Sequence, residues 1–117
     1  MRTVLVVDDD ADVLDAVAEV LVLEGFAVRQ ARGGAAALDV LRTERAPGVV
    51  LLDARMEDVD GRTVWQWIRT NPATCGVPVV FMTADRRFQP LDGASVLEKP
   101  FGVADLLDAV RIALESC

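Results

Sequence analysis

Apolar residues along this chain come in two alternating rhythms: short unbroken runs, and longer stretches spaced by three and four. Thr3 to Val7 reads Thr-Val-Leu-Val-Val, and Val49 to Asp53 reads Val-Val-Leu-Leu-Asp. A half-exposed strand would alternate with polar residues, so these runs predict strands covered on both faces of a parallel sheet. Between them Val13, Leu14, Val17, Val20 and Leu21 keep helical spacing. That spacing predicts a helix from Ala11 to Glu24, ended by Gly25 as its C-terminal cap. Phe26 to Ala31 is a short second strand whose Ala27, Arg29 and Gln30 suit a sheet edge. Ala35 to Glu44 is a second helix through Ala37, Leu38 and Leu41, and Pro47-Gly48 breaks the chain before the central strand. Thr63 to Thr70 is a third helix with Val64 and Ile68 on its buried face and Trp65 and Trp67 beside them; Asn71-Pro72 stops it. Val77 to Thr83 and Ser95 to Glu98 are the fourth and fifth strands, and Val103 to Leu114 is the last helix. Strands alternating with helices imply right-handed crossovers and an α/β sandwich of three layers, doubly wound about a five-stranded parallel sheet.

The chemistry collects where the strands stop. In open α/β sheets ligands sit at the carboxyl ends of the strands, and here those ends carry Asp8-Asp9-Asp10, Asp53, Thr83 and Lys99. Asp53 alone is ambiguous, because Asp also caps loops for its own hydrogen-bonding reasons. Two neighbouring strands ending in acids are less so: Asp8, Asp9 and Asp53 in one small region repel one another unless a cation joins them. With no His or Cys near, the donors are all oxygen, which suits Mg²⁺ retaining waters for an incoming phosphate group. Asp10 directly precedes an amphipathic run and is placed to be a helix N-cap. Gly33-Gly34 is read as a turn and not a phosphate loop, and Gly61 as the residue that gives the loop after Asp53 a positive φ.

Composition narrows the classes. The 117 residues make one ordinary domain with no output domain, and 52% hydrophobic with 5% aromatic content fits aliphatic strands and Ala-rich helices. No apolar run nears the roughly 18 residues of a bilayer span and no signal-peptide layout opens the chain, so a cytoplasmic protein without membrane insertion is expected. The net charge of −7 argues against direct nucleic-acid binding. Cys75 and Cys117 lie far apart and read as incidental thiols. Of the 12 basic residues only Lys99 is a lysine, which marks a site needing a compact ammonium in place of a planar fork. The absence of His rules out an imidazole base in this chain. The set at the strand ends is coherent for phosphoryl transfer: a carboxylate nucleophile, a cation pair to neutralise the equatorial oxygens, and a hydroxyl to hydrogen-bond the third.

Four motifs, VLVVDDD at 4–10, LLDARMEDVDG at 51–61, VVFMTAD at 79–85 and EKPF at 98–101, make the whole chain resemble a response-regulator receiver domain of the chemotaxis-regulator type. The resemblance implies a flavodoxin-like sheet of order 2-1-3-4-5. It implies an Mg-dependent phosphoacceptor of a two-component system, with Asp53 phosphorylated by a histidine kinase or phosphotransfer protein. Asp9 would bind Mg²⁺ directly and Asp8 through water, with Asp53 and the backbone carbonyl of Arg55 completing the set. Thr83 and Lys99 would contact the phosphoryl group, Ala84 would leave it room, and Lys99-Pro100 would be cis. Such a module is not an enzyme beyond catalysing its own phosphorylation and dephosphorylation. Its further partners would be a downstream protein and, as an option, a second copy in a homodimer.

The departures from the family pattern concern output. Glu57 stands where the family usually has Pro, and Val96 where it has an aromatic switch residue. Only the eleven residues ADRRFQPLDGA separate Thr83 from the fifth strand, so the helix expected there is a single turn or absent. That loop, Asp85 to Ala94, is the expected moving part, and Arg55 and Asp85 are expected to face each other across the site entrance. Two other readings compete: a degenerate receiver that binds partners without phosphorylation, and a haloacid-dehalogenase-type phosphatase using Asp8 and Asp10.

Overall fold

A computed structural model describes residues 2–89, 91 and 94–115. The strands are β1 (Thr3–Asp8), β2 (Ala27–Arg32), β3 (Val49–Asp53), β4 (Val79–Thr83) and β5 (Ala94–Glu98). The helices are α1 (Ala11–Leu23), α2 (Gly34–Thr43), α3 (Gly61–Thr70) and α4 (Val103–Glu115). All strands run parallel in the order β2-β1-β3-β4-β5, so the winding reverses between β1 and β3. A crevice opens at that reversal, beyond the carboxyl ends of the two strands.

Side chains alternate across a strand, and both faces of this sheet are covered. Val4, Val6, Val49, Leu51, Val80 and Met82 pack with Leu14, Val17 and Leu21 of α1 and Leu106, Leu107 and Val110 of α4. Leu5, Val7, Val50, Leu52 and Phe81 pack on the opposite face with Ala37 and Leu41 of α2 and Val64 and Ile68 of α3. This double burial is why the sequence shows runs and not alternation. None of the helices described is long and apolar enough to cross a membrane.

Helix ends follow local chemistry at some positions and distant chemistry at others. Asp10 is the N-cap of α1, its Oδ1 accepting from the Asp12 N–H at 2.9 Å, and Gly25 follows the helix at φ +95°. The start of α2 was not legible locally. Gly33 offers no capping side chain, and Asp58, from the loop after β3, supplies one: its carboxylate accepts from the N–H groups of Gly34 (3.1 Å) and Ala35 (3.0 Å). These backbone donors, with that of Val59, hold the Asp58 carboxyl below its ordinary range. The Gly-Gly pair makes the contact possible, since a Cβ on Gly34 would sit 2.4 Å from the Val59 carbonyl oxygen. The pair is therefore a tight junction between two loops and the first residue of a helix, and more than a turn.

No helix occurs among the described residues between β4 and β5. The crossover turns at Arg86 and Arg87, closed by the Phe88 N–H donating to the Asp85 carbonyl at 3.1 Å. Phe88 and Leu91 then pack onto the α2 and α3 side of the sheet with Ala94 and Val96. Pro90, Asp92, Gly93 and Cys117, and with them the far part of this loop and the second thiol, lie outside the described residues.

Candidate functional site

The register of the sheet builds the site. Val7 pairs with Leu52, so the next position brings Asp8 beside Asp53 at the crevice. One strand further, Thr83 pairs with Glu98, and the ladder continues as the Lys99 N–H donates to the Thr83 carbonyl at 2.8 Å. Four residues separated by up to 91 positions therefore meet. The Lys99 Nζ lies 2.9 Å from Asp8 Oδ2 and 3.6 Å from Asp53 Oδ1. Carboxylate oxygens of Asp8, Asp9 and Asp53 gather within 4.8 Å of one another. A cleft of about 440 Å³ is lined by Asp53, Arg55, Thr83, Ala84, Asp85 and Lys99. The Lys99-Pro100 peptide is cis.

Burial sharpens the electrostatics. Asp8 and Asp53 are both buried, as is Thr83. Loss of solvent and the neighbouring Asp8 charge push the Asp53 carboxyl up to about 6, against the opposing pull of Lys99 and of the Arg55 N–H at 3.4 Å. Burial would lower the Lys99 ammonium, but its hydrogen bond to Asp8 and the charge of Asp53 outweigh this and hold it above its ordinary value. The site thus carries an excess of negative charge that a single ammonium does not balance.

The donor set decides what could relieve it. Three carboxylates with no imidazole or thiol beside them among the described residues fit a hard divalent cation. Asp8 has one oxygen taken by Lys99 and the other accepting the Asp10 N–H at 3.0 Å, which leaves it suited to a water-mediated contact.

Residues 4–111 match the family described as the response regulator receiver domain. The chain belongs to that family. It is 33% identical over 120 residues to the DNA-binding dual master transcriptional regulator RpaA of Synechocystis, covering 97% of this chain and 49% of that protein. It is 33% identical over 117 residues to the response regulator MprA of Mycolicibacterium vanbaalenii, covering 95% of this chain and 49% of that protein. The chain thus spans about half the length of these curated relatives. In fold it is similar to the chemotaxis response regulator CheY4 of Vibrio cholerae, with TM-score 0.89 at 24% identity over 97% of this chain and 99% of that one. A response regulator of Chloroflexus aurantiacus gives TM-score 0.85 at 29% identity, covering 97% and 98%. Receiver domains are signalling modules of two-component systems and generally bind Mg²⁺ at an acidic pocket; in this chain Asp8, Asp9 and Asp53 form an acidic cluster.

Two residues at the rim of the receiver's cleft behave as expected. Arg55 and Asp85 form an ion pair of 2.8 Å across the entrance. Asp85 is also tied inward, its N–H donating to Thr83 Oγ1 at 3.0 Å. Gly61, by contrast, does not serve the loop through its backbone freedom. Its φ is not positive; the residue is needed because a Cβ there would stand 2.4 Å from the Asp53 carbonyl oxygen and 2.9 Å from that of Ala54. Helix α3 begins against the backbone that carries the Asp53 carboxylate. Gly61→Ala is accordingly expected to destabilise the fold by about 2 kcal/mol, the scale of overpacking. Urea denaturation would show it as a lower midpoint, and an unchanged midpoint would mean that the loop moves aside freely.

Proposed function

We propose that this receiver is a phosphoacceptor in which Asp53 takes a phosphoryl group from a phosphohistidine on a histidine kinase or phosphotransfer protein, and that this changes its affinity for a downstream protein. The observation that carries the reading is the meeting of one buried carboxylate, Asp53, with an ammonium 3.6 Å away and with Thr83 in the same cleft. An Asp53 oxygen attacks phosphorus, the P–N bond to the donor imidazole breaks, and its electron pair stays on the ring nitrogen. With its carboxyl at about 6, Asp53 is largely ionised at neutral pH and able to attack. Lys99 then faces one phosphoryl oxygen and the Thr83 hydroxyl another. Asp8, Asp9, Asp53 and the Arg55 carbonyl are the groups that would hold Mg²⁺, whose charge offsets that of the transferring group.

Incubation with acetyl phosphate and Mg²⁺ followed by intact-mass measurement tests this. One added phosphoryl mass, absent in Asp53→Asn and strongly reduced in Asp9→Asn, is expected. No adduct on the wild-type protein would favour the degenerate receiver that binds partners without phosphorylation. An adduct at Asp8 would favour the phosphatase-type reading.

The Arg55 and Asp85 pair is proposed to shield the phosphoryl group from water. Arg55→Ala should shorten the lifetime of phosphorylated Asp53 by about threefold or more, followed by phosphate release; an unaltered lifetime would leave the pair without that role. Arg55 is largely exposed, so the substitution should change stability little.

A further inference from the structure

Among its described residues the crossover between β4 and β5 carries a ring and no helix, and that ring is wired to the site at one end and to α3 at the other. At the site end, Thr83 Oγ1 accepts the Asp85 N–H at 3.0 Å, and the Asp85 carbonyl accepts the Phe88 N–H at 3.1 Å. At the other end, the Phe88 ring lies 5.0 Å from the buried Phe81 ring, centre to centre, and the Arg62 guanidinium sits 4.9 Å above it. Arg62, Trp65 and Arg69 follow one stripe of α3 at i, i+3 and i+7. Arg69 in turn lies 5.7 Å over the Trp65 ring. Trp65 Nε1 is enclosed and has no acceptor. A buried donor left unsatisfied raises the free energy of this arrangement, which makes the indole N–H a sensitive reporter of any change around it.

We propose that Phe88 is the positioning residue through which the state of the Asp53 site is transmitted to α3. This rests on the phosphoacceptor reading. A phosphoryl oxygen on Asp53 accepts from the Thr83 hydroxyl and draws that side chain toward it, which pulls Thr83 Oγ1 away from the Asp85 N–H that it accepts from. Loss of that hydrogen bond frees the turn from Asp85 to Phe88, and the ring shifts on Phe81 and beneath Arg62. The β5 position is Val96, which has no ring to move, so the signal leaves through the crossover and toward the Arg62, Trp65 and Arg69 stripe. Coupling of this kind is reciprocal: a residue that senses the site also biases it.

The test uses the full chain with Mg²⁺ and beryllofluoride, and reads backbone amides at Ala54 and Ala84 with the indole N–H of Trp65 in nitrogen-15 NMR spectra. Phe88→Leu keeps an apolar side chain and removes the ring; a wild-type-like amide spectrum certifies its fold, and Phe88→Met serves in its place if that fails. The expected result is that the Ala54 and Ala84 amides shift in both proteins while the Trp65 indole shifts in the wild type alone. The affinity for beryllofluoride should also change about threefold or more in the variant. Site amides that shift with a Trp65 response equal in both proteins, or absent from both, would overturn the role of Phe88 and leave the phosphoacceptor reading intact. Site amides that shift in neither protein would overturn both.

Discussion

Asp53→Asn is expected to abolish phosphoryl incorporation and at the same time to make the metal-free protein more stable at neutral pH. Both effects come from the same burial. The Asp53 carboxyl is raised from 3.8 to about 6 by loss of solvent and by the charge of Asp8. The folded state therefore holds this proton more tightly than the unfolded chain, and stability falls as pH rises from about 4 through about 6. Above that window the whole penalty is present, roughly 3 kcal/mol at 1.36 kcal/mol per unit. Asparagine keeps the shape and never ionises. The variant should thus unfold at higher urea than the wild type at pH 7, with the difference closing near pH 4. Saturating Mg²⁺ should narrow the gap at pH 7 by stabilising the wild type through binding. A variant equal to or weaker than the wild type at pH 7 without Mg²⁺ would contradict the charge excess inferred for the site.

Lys99 should give the opposite result. It is the hydrogen-bond partner of Asp8, which is only 1% exposed, and the nearest cation to Asp53. Its ammonium is held above the ordinary 10.5, so its contribution is complete at pH 7 and is lost only as pH rises through that raised value. Removing it in Lys99→Ala leaves two buried carboxylates facing one another. A cost of about 3 kcal/mol at pH 7 is expected, toward the low end for a broken buried pair because the Lys99 side chain keeps 24% exposure. That cost should shrink below about pH 6, as Asp53 takes up a proton. Lys99→Arg should restore part of the stability but not phosphorylation-dependent partner binding, since a flat fork does not replace a compact donor between two acids. Urea denaturation against pH and a binding assay on the phosphorylated variant would measure the two parts. Full activity of Lys99→Arg would make the single lysine an accident of composition.

How much of this could be read beforehand depends on the range of the interactions. The strands were legible because burial on both faces leaves unbroken apolar runs, as at Val49 to Leu52. The acidic pocket was legible because parallel strands end together, so residues at run ends become neighbours whatever their separation. The Asp10 cap was legible because its partner is two residues away. What escaped was set by contacts across the fold. Asp58 caps a helix that begins 24 residues earlier, and no local pattern announces it beyond the lack of a capping side chain at Gly33. Gly61 was taken for a conformational glycine, although its need arises from a carbonyl eight residues back that only the folded chain brings close. Phe88 looked like one apolar residue in a polar loop, because the Phe81 and Arg62 side chains that hold it come from a strand and a helix.

The crossover from β4 to β5, with no helix among its described residues, is where the molecule can come apart. Elsewhere each crossover carries a helix whose packing would be lost with a cut, but β4 and β5 are joined by ten residues alone, from 84 to 93. The piece beyond the link is held without it: β5 by its ladder to β4, and α4 by the apolar cluster it shares with α1. Arg86 and Arg87 stand exposed in the link. A trypsin-nicked chain can thus remain assembled as a two-piece complex, with Lys99 on the smaller piece and Asp8, Asp9 and Asp53 on the larger. Asp53 and its counter-charge would then lie on separate fragments, and the site would be complete only when the two recombine.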